Sequence, residues 1–262
     1  MRNAPLPLML AILAGVFAFL YLPISVLVAL SFNDGGLPTA WTGFSTKWYG
    51  ALFANADIMG AALNTLIVAV ISTILATLFG TLLAVGVEIR RRKGRFLETL
   101  IFAPMIIPDI VLAIALLSFF SLLGVKMGLH TIILAHVVFN LAFVCSVVRA
   151  RLKTFDWSIV EASTDLGAPT LTTLRRVIIP VLSPAIIAGA LLAFTLSVDE
   201  FVIAFFTAGA GRASTTLPMQ IYAMIRFGVT PEINALATIV MGISVLALTL
   251  SQRLNRGGLP GQ

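Results

Sequence analysis

Apolar residues run along the chain in long blocks, and polar residues collect in short clusters between them. A helix needs roughly 20 mainly apolar residues to cross the hydrocarbon core. Six stretches meet that length: about Leu8 to Leu30, Ala61 to Val87, Leu97 to Leu123, Thr131 to Val148, Ser183 to Phe206 and Ile233 to Leu250. The pattern predicts an all-α integral membrane protein with six transmembrane helices in a single domain over residues 1–262, and both termini on one side. The first stretch opens on Arg2 like a signal peptide. Its apolar run is too long for a signal core and no small-residue cleavage site follows, so a first spanning helix is expected.

Composition agrees with this pattern. The chain has 262 residues, 59% hydrophobic and 11% charged, with a mean hydropathy of +1.05, too apolar for an ordinary soluble domain. A net charge of +6 could suggest nucleic acid. The basic residues lie between apolar runs, however, as juxtamembrane loops require, so no nucleic-acid binding is expected. Placing the termini in the cytoplasm puts thirteen of the 17 Lys and Arg residues there, in Glu88 to Glu98, Arg149 to Leu182 and the two ends. Lys47, Lys126, Arg212 and Arg226 remain outside, so the positive-inside rule fixes the expected orientation. The lone Cys145 leaves no internal disulfide and no thiolate metal cluster.

Two spans carry small residues at helical spacing, Ala76, Gly80 and Ala84 in one and Ala185, Gly189 and Ala193 in another, which suits close helix packing in lipid. The outer loop "LPTAWTGFSTKWYGALF" holds Trp41, Trp48 and Tyr49, and "TTLPMQIYAMIRFG" reads as a short amphipathic helix. Aromatic anchoring at the headgroups explains both, and a docking surface for an external partner is the sharper alternative.

The longest inner segment, 149–182, contains "RLKTFDWSIVEASTDLGAPTLTTLRRVIIPVLSP". Ser158 with Glu161 three residues later forms a capping-box pattern, Gly167 suits a left-handed C-cap and Pro169 the start of the next helix. Two helical turns are marginal in water alone. Such a helix either lies on the membrane surface or is held by a partner.

Glu161, Ala162 and Gly167, then nine residues, then "VIIP" ending at Pro180, resemble the EAA loop of the membrane subunits of bacterial ATP-driven (ABC) importers. In that family the pattern is Glu-Ala-Ala, three residues, Gly, nine residues, Ile, one residue, Leu-Pro. Ser163, Val177 and Ile179 are mild departures. The resemblance implies the permease fold of an ABC type I importer. It also implies that the segment holding Glu161, Ala162, Ser163, Asp165 and Gly167 is a cytoplasmic coupling helix seated on a separate ATPase subunit. The chain has no Gly-Lys dipeptide and so no P-loop. ATP and Mg are therefore expected in the partner, with no cofactor bound by this chain. No HExxH, GxSxG or thiol cluster is present either, so no catalytic residue, no metal site and no enzymatic activity are expected.

Ionisable groups at membrane depth are costly and by default mark a pathway. Asp109 follows Pro108, while Asp199 and Glu200 close "LLAFTLSVDE". At 1.5 Å per residue, Asp109 lies ~18 Å along the third span and Asp199 ~22 Å along the fifth if both helices stand upright. Pro104 and Pro108 should bend the third span. Acid facing a cavity without a buried Lys or Arg is a site for a cation; placement in the headgroups or in helix packing is the plain alternative. Asn64, His136, Asn140 and Asn234 are expected to hydrogen-bond between helices.

Over nearly its whole length the chain resembles the permeases of spermidine/putrescine importers, through "FSTKWYG", "PDIVLAI", "RLKTFDWSIVEASTDLGA", "LAFTLSVDEFVIAFFTAG" and "TTLPMQIYAMIRFGVTPEINALAT". That likeness implies that Asp109, Asp199 and Glu200 meet the ammonium groups of a polyamine, with Trp48 and Ser197 as neighbours. Glu200 stands where relatives often have Asp. The implied partners are a second permease subunit, two copies of an ABC ATPase and a periplasmic solute-binding protein, at the bacterial inner membrane. An importer of another small cationic solute and a stand-alone proton-coupled carrier are the alternatives; a membrane-embedded enzyme lacks any recognisable nucleophile.

Overall fold

The computed structural model describes residues 6–36, 40–89, 94–226, 228 and 230–256, those at 6, 94–98 and 244–256 by their backbone alone. The basic cluster at 90–93, Arg2 and the last six residues lie outside the described residues, so the charge reading there stays a sequence argument. The described chain is helical throughout, apart from one isolated bridge between Asn33 and Phe44. Its contacts divide into two compact units, Met1–Met59 with Ile221–Gln262, and Gly60–Gln220.

In the first unit, α1 (Leu6–Leu30) and α2 (Lys47–Ala54) both pack on α12 (Pro231–Arg256). No part of the apolar window of α1 is buried, as suits a helix surrounded by lipid or another chain. The loop between α1 and α2 is built around Asn33, whose amide donates to Ala40 O at 2.7 Å while its Oδ1 accepts from Thr42 N at 2.8 Å. Phe32 stacks on Phe44, and Lys47 pairs with Asp34 at 2.7 Å. The ammonium of Lys47 holds the Asp34 carboxyl below the usual carboxylate range. The pair is exposed, so it orders the loop more than it stabilises the fold.

The second unit follows α3 (Ala56–Ile89) from Gly60 onward through α4 (Gly94–Ile106), α5 (Asp109–Leu122) and α6 (Leu129–Leu152). After α7 (Ser158–Asp165), a continuous helical stretch runs from α8 (Thr170–Thr173) through a π-turn, Leu174–Ile178, into α9 (Ile179–Asp199). Two short helices follow in this unit, α10 (Val202–Thr207) and the beginning of α11 (Leu217–Arg226). The core lies where α3, α6 and α9 meet. A Cβ on Gly80 would come within 2.9 Å of Val144, and one on Gly189 within 3.4 Å of the same residue. Both small-residue ridges thus press on α6 from two sides. Deleting the side chain lets the helix axes approach, which replaces the hydrophobic driving force that lipid does not supply. Ser72, His136 and Ser197 form the polar layer above that contact.

Four described helices are long and apolar enough to cross a membrane, Pro7–Leu30, Ala56–Ile89, Leu129–Leu152 and Thr170–Asp199. The third expected span is not one bent helix. It is two helices, Thr99–Ile106 and Asp109–Leu122, meeting at 115°. Pro108 removes a backbone donor and disfavours helix at Ile107, and its own ψ of 137° turns the chain. The upright-helix depth of Asp109 therefore does not apply. The fifth span ends at Asp199 instead of Phe206, because Glu200 adopts extended backbone (φ −71°, ψ 112°) before α10 begins. The sixth expected span falls on α12, of which Pro231–Ile243 is an apolar helix among the described side chains.

Candidate functional site

The three carboxylates sit at the two helix breaks of the second unit. Asp109 is the first residue of α5, where the unpaired N–H groups and the helix dipole favour a negative charge. Asp199 is the last residue of α9, and Glu200 lies in the extended link that follows. Glu200 Oε1 accepts the backbone N–H of Ile203 at 2.8 Å, so this side chain caps α10. Ile203 is fully buried with Leu112 and Ala113, which seats the start of α10 against the first turns of α5. That packing brings the carboxylates of both Asp109 and Asp199 within electrostatic reach of Glu200. Two breaks distant in sequence therefore bring three carboxyl groups into one neighbourhood.

Among the described residues none of the three has an ion-pair partner. Asp109 and Asp199 are exposed and Glu200 is half-buried, so the cluster opens away from the unit's core. Like charges this close repel, and a cation with several ammonium groups would relieve that repulsion. Among the described residues no group of three or more His, Cys, Asp or Glu could hold a metal ion.

Ser197 does not share the opening. Two residues before Asp199 it points to nearly the opposite face of α9, where it is 2% exposed and bonds His136 Nδ1 at 2.7 Å and Ser72 Oγ at 3.1 Å. Its hydroxyl is committed to helix packing. Trp48 belongs to the other compact unit, where its indole Nε1 donates to Asn33 O at 2.8 Å.

Of the expected interhelical polar contacts, His136 makes one to Ser197. Asn64 instead donates to the 212–215 turn, closest to Thr215 O at 2.9 Å. Asn140 departs from expectation: it is fully buried and neither amide atom has a partner among the described residues. Sequence spacing alone cannot show that its layer of the core pairs it with small residues. His136 meets Ser197 and Val144 meets Gly189, so Asn140 falls level with Ala193 on the antiparallel α9.

The α7 region has the opposite character. Ser158 is the first helical residue rather than the cap, and the expected capping box with Glu161 does not form. Asp156 takes that role, its Oδ1 accepting from Ser158 N at 3.0 Å. The hydrogen bonds from Ser158 hold the Asp156 carboxyl below its ordinary range. Glu161 is thereby left exposed with its carboxylate uncommitted to the cap. At the other end Gly167 has φ +77°, with Gly167 N bonding Thr164 O and Ala168 N bonding Ser163 O, which is a Schellman C-cap.

One side of α7 is anchored. Val160 and Trp157 pack on the core around Leu152, Ile178 and Leu182, and Ser163 Oγ meets Thr173 Oγ1 at 2.9 Å. The other side is covered by none of the described residues. Glu161, Ala162, Asp165 and Gly167 are exposed, with Leu166 88% exposed beside them. Ile159 on α7 and Leu171 on α8 are exposed as well.

Residues 76–256 match the family model described as binding-protein-dependent transport system inner membrane component. The chain is 42% identical over 250 residues to the spermidine/putrescine transport system permease protein PotC of Escherichia coli (strain K12), covering 95% of this chain and 94% of that protein. It is also 42% identical over 256 residues to the putrescine transport system permease protein PotI of the same strain, covering 92% and 89%. A chain of the bacterial alginate ABC transporter, solved in complex with an alginate pentasaccharide-bound periplasmic protein, superposes with a TM-score of 0.72 at 18% identity, over 93% of this chain and 90% of that one. That likeness speaks to the fold alone.

Proposed function

The chain belongs to the family of binding-protein-dependent transport system inner membrane components, and we propose that it carries polyamines, putrescine or spermidine, through an ATP-driven importer. As a member of that family it is a multi-pass inner-membrane protein with the fold of an ABC importer permease. The polyamine reading rests on one observation above all: Asp109, Asp199 and Glu200 come together from two helix breaks with no basic partner among the described residues. A polyamine presents two or more ammonium groups on a flexible apolar chain. Three carboxylates would replace part of its hydration during passage, and the exposure of two of them keeps that pairing weak enough for release.

In this reading both termini face the cytoplasm and α7 is the coupling helix. Glu161, Ala162, Asp165, Leu166 and Gly167 meet the ATPase, while Ser163 ties the helix to its own chain. Substrate passes from a periplasmic binding protein into a cavity shared with a second permease subunit. ATP and Mg belong to two ATPase copies, whose closure moves α7 and with it α6 and α9. The chain itself catalyses nothing; its sequence has no P-loop. The exposed side of the acidic cluster supports a shared cavity, since a charge facing lipid would be costly.

The test is reconstitution of the assembly in liposomes, with ATP hydrolysis measured as loaded binding protein is added. Putrescine or spermidine should stimulate hydrolysis in the wild type and much less in D109N/D199N. Equal stimulation by an anionic solute, or full stimulation of the double variant, would refute the assignment.

A further inference from the structure

Near the C-terminal end of α6, that helix and α4 enclose a cavity of about 510 Å³. Its walls differ in chemistry. Phe102, Met105 and Ile106 line the α4 side; Arg149, Ala150 and Lys153 line the α6 side. Met105 and Ile106 are 40% and 80% exposed, an apolar wall left uncovered by the described residues.

The two cations differ in what holds them. The Arg149 side chain is 11% exposed, lies 3.9 Å from the Glu88 carboxylate and sits 5.5 Å over the Phe102 ring. Its place is fixed and its charge is largely balanced. Lys153, one turn further on the same face, is exposed and pairs with no carboxylate among the described residues. The cavity therefore carries surplus positive charge beside a buried, prearranged guanidinium, and apart from Ser146 the rest of its lining is apolar.

The occupant must match both halves: an anion at one end and a saturated chain at the other. A peptide would bring backbone N–H and C=O groups that the α4 wall cannot satisfy. A basic pocket between spanning helices at the cytoplasmic boundary has the chemistry of an acidic lipid headgroup site. The basic bias of the sequence assigns this end of α6 to the cytoplasm. We propose that the cavity binds one anionic phospholipid of the inner leaflet, its phosphodiester at Lys153 and Arg149 and an acyl chain along Met105 and Ile106. Because Arg149 and Lys153 stand at the root of the segment leading to α7, the headgroup braces the point from which the coupling helix hangs.

The test uses the full assembly in nanodiscs of phosphatidylcholine with a fixed minor share of phosphatidylglycerol, and native mass spectrometry to count retained lipid. Wild type should enrich phosphatidylglycerol over its bulk share. K153Q should lower that enrichment about fivefold, and K153R should keep it. A150W, which fills the cavity and leaves both cations, should abolish it. Retention of phosphatidylglycerol by K153Q or A150W at the wild-type level, or uptake of both lipids in bulk proportion by the wild type, would overturn the site. Lipid is counted without any amine present, so failure here leaves the polyamine reading standing, and the reverse.

Discussion

Replacing Gly167 by alanine isolates the conformation of α7 from its contacts. Gly167 has φ +77°, and a Cβ built there meets nothing within 4 Å. The cost is therefore not a clash but the left-handed backbone itself, about 1–2 kcal/mol for an L-residue. The alternative backbone would give up the bonds Gly167 N to Thr164 O (2.8 Å) and Ala168 N to Ser163 O (3.1 Å), which end a helix of only eight residues. Such a helix has little stability of its own to spare. If α7 must be formed to grip the ATPase, the same free energy appears in docking, a loss of roughly five- to thirtyfold. The assay is the amount of ATPase retained on affinity-purified permease, with ATP-driven uptake measured in parallel. G167A should lose both and β-branched G167V should lose more. G167N, which tolerates this region better, should lie nearest the wild type. Wild-type retention and uptake by G167V would refute the idea that the Schellman cap holds the coupling surface.

Substitutions at three further positions separate structure from transport. E200Q keeps an oxygen for Ile203 N and should preserve thermal stability while reducing polyamine uptake about tenfold, whereas E200A should also lose about 1 kcal/mol of stability from the cap of α10; equal uptake by both and the wild type would remove Glu200 from the pathway. G80V places a branched side chain where Val144 already lies within 2.9 Å, and should cost about 1–3 kcal/mol, seen as a lowered Tm of the detergent-solubilised protein; an unchanged Tm would contradict the close α3–α6 packing. N140L removes a buried amide that has no partner among the described residues and should leave stability unchanged or raised by about 1 kcal/mol, read as an equal or higher Tm; a marked drop would show that Asn140 is satisfied by another group.

The helices were legible because lipid imposes a simple rule: every backbone group must be satisfied within a long apolar segment. Small residues at Gly80 and Gly189 were equally legible as packing ridges, and both press on Val144. What periodicity could not give was where the apolar runs break. Pro104 and Pro108 signal a bend but not its size, 115°, and the break at Glu200 carries no Pro or Gly at all. The acidic residues were found by their expense in a membrane, but Ser197 was grouped with them through family resemblance. Its position two residues before Asp199 puts it on the packed side of α9. At α7 the capping pattern Ser158–Glu161 was matched in spacing and displaced by one residue in fact, because Asp156 reached the Ser158 N–H first. A local side-chain competition of that kind is invisible to a spacing rule.

The central claim is that three carboxylates gathered at two helix breaks pass a polyamine inward under the drive of another subunit. Its most direct measurement is the initial rate of labelled spermidine uptake into proteoliposomes holding the whole assembly, with and without internal ATP, for the wild type and for D109N/D199N/E200Q. The account predicts ATP-dependent uptake by the wild type and its near-complete loss in the triple variant, with the ATPase still bound. Uptake without ATP, or undiminished uptake by the triple variant, would contradict it.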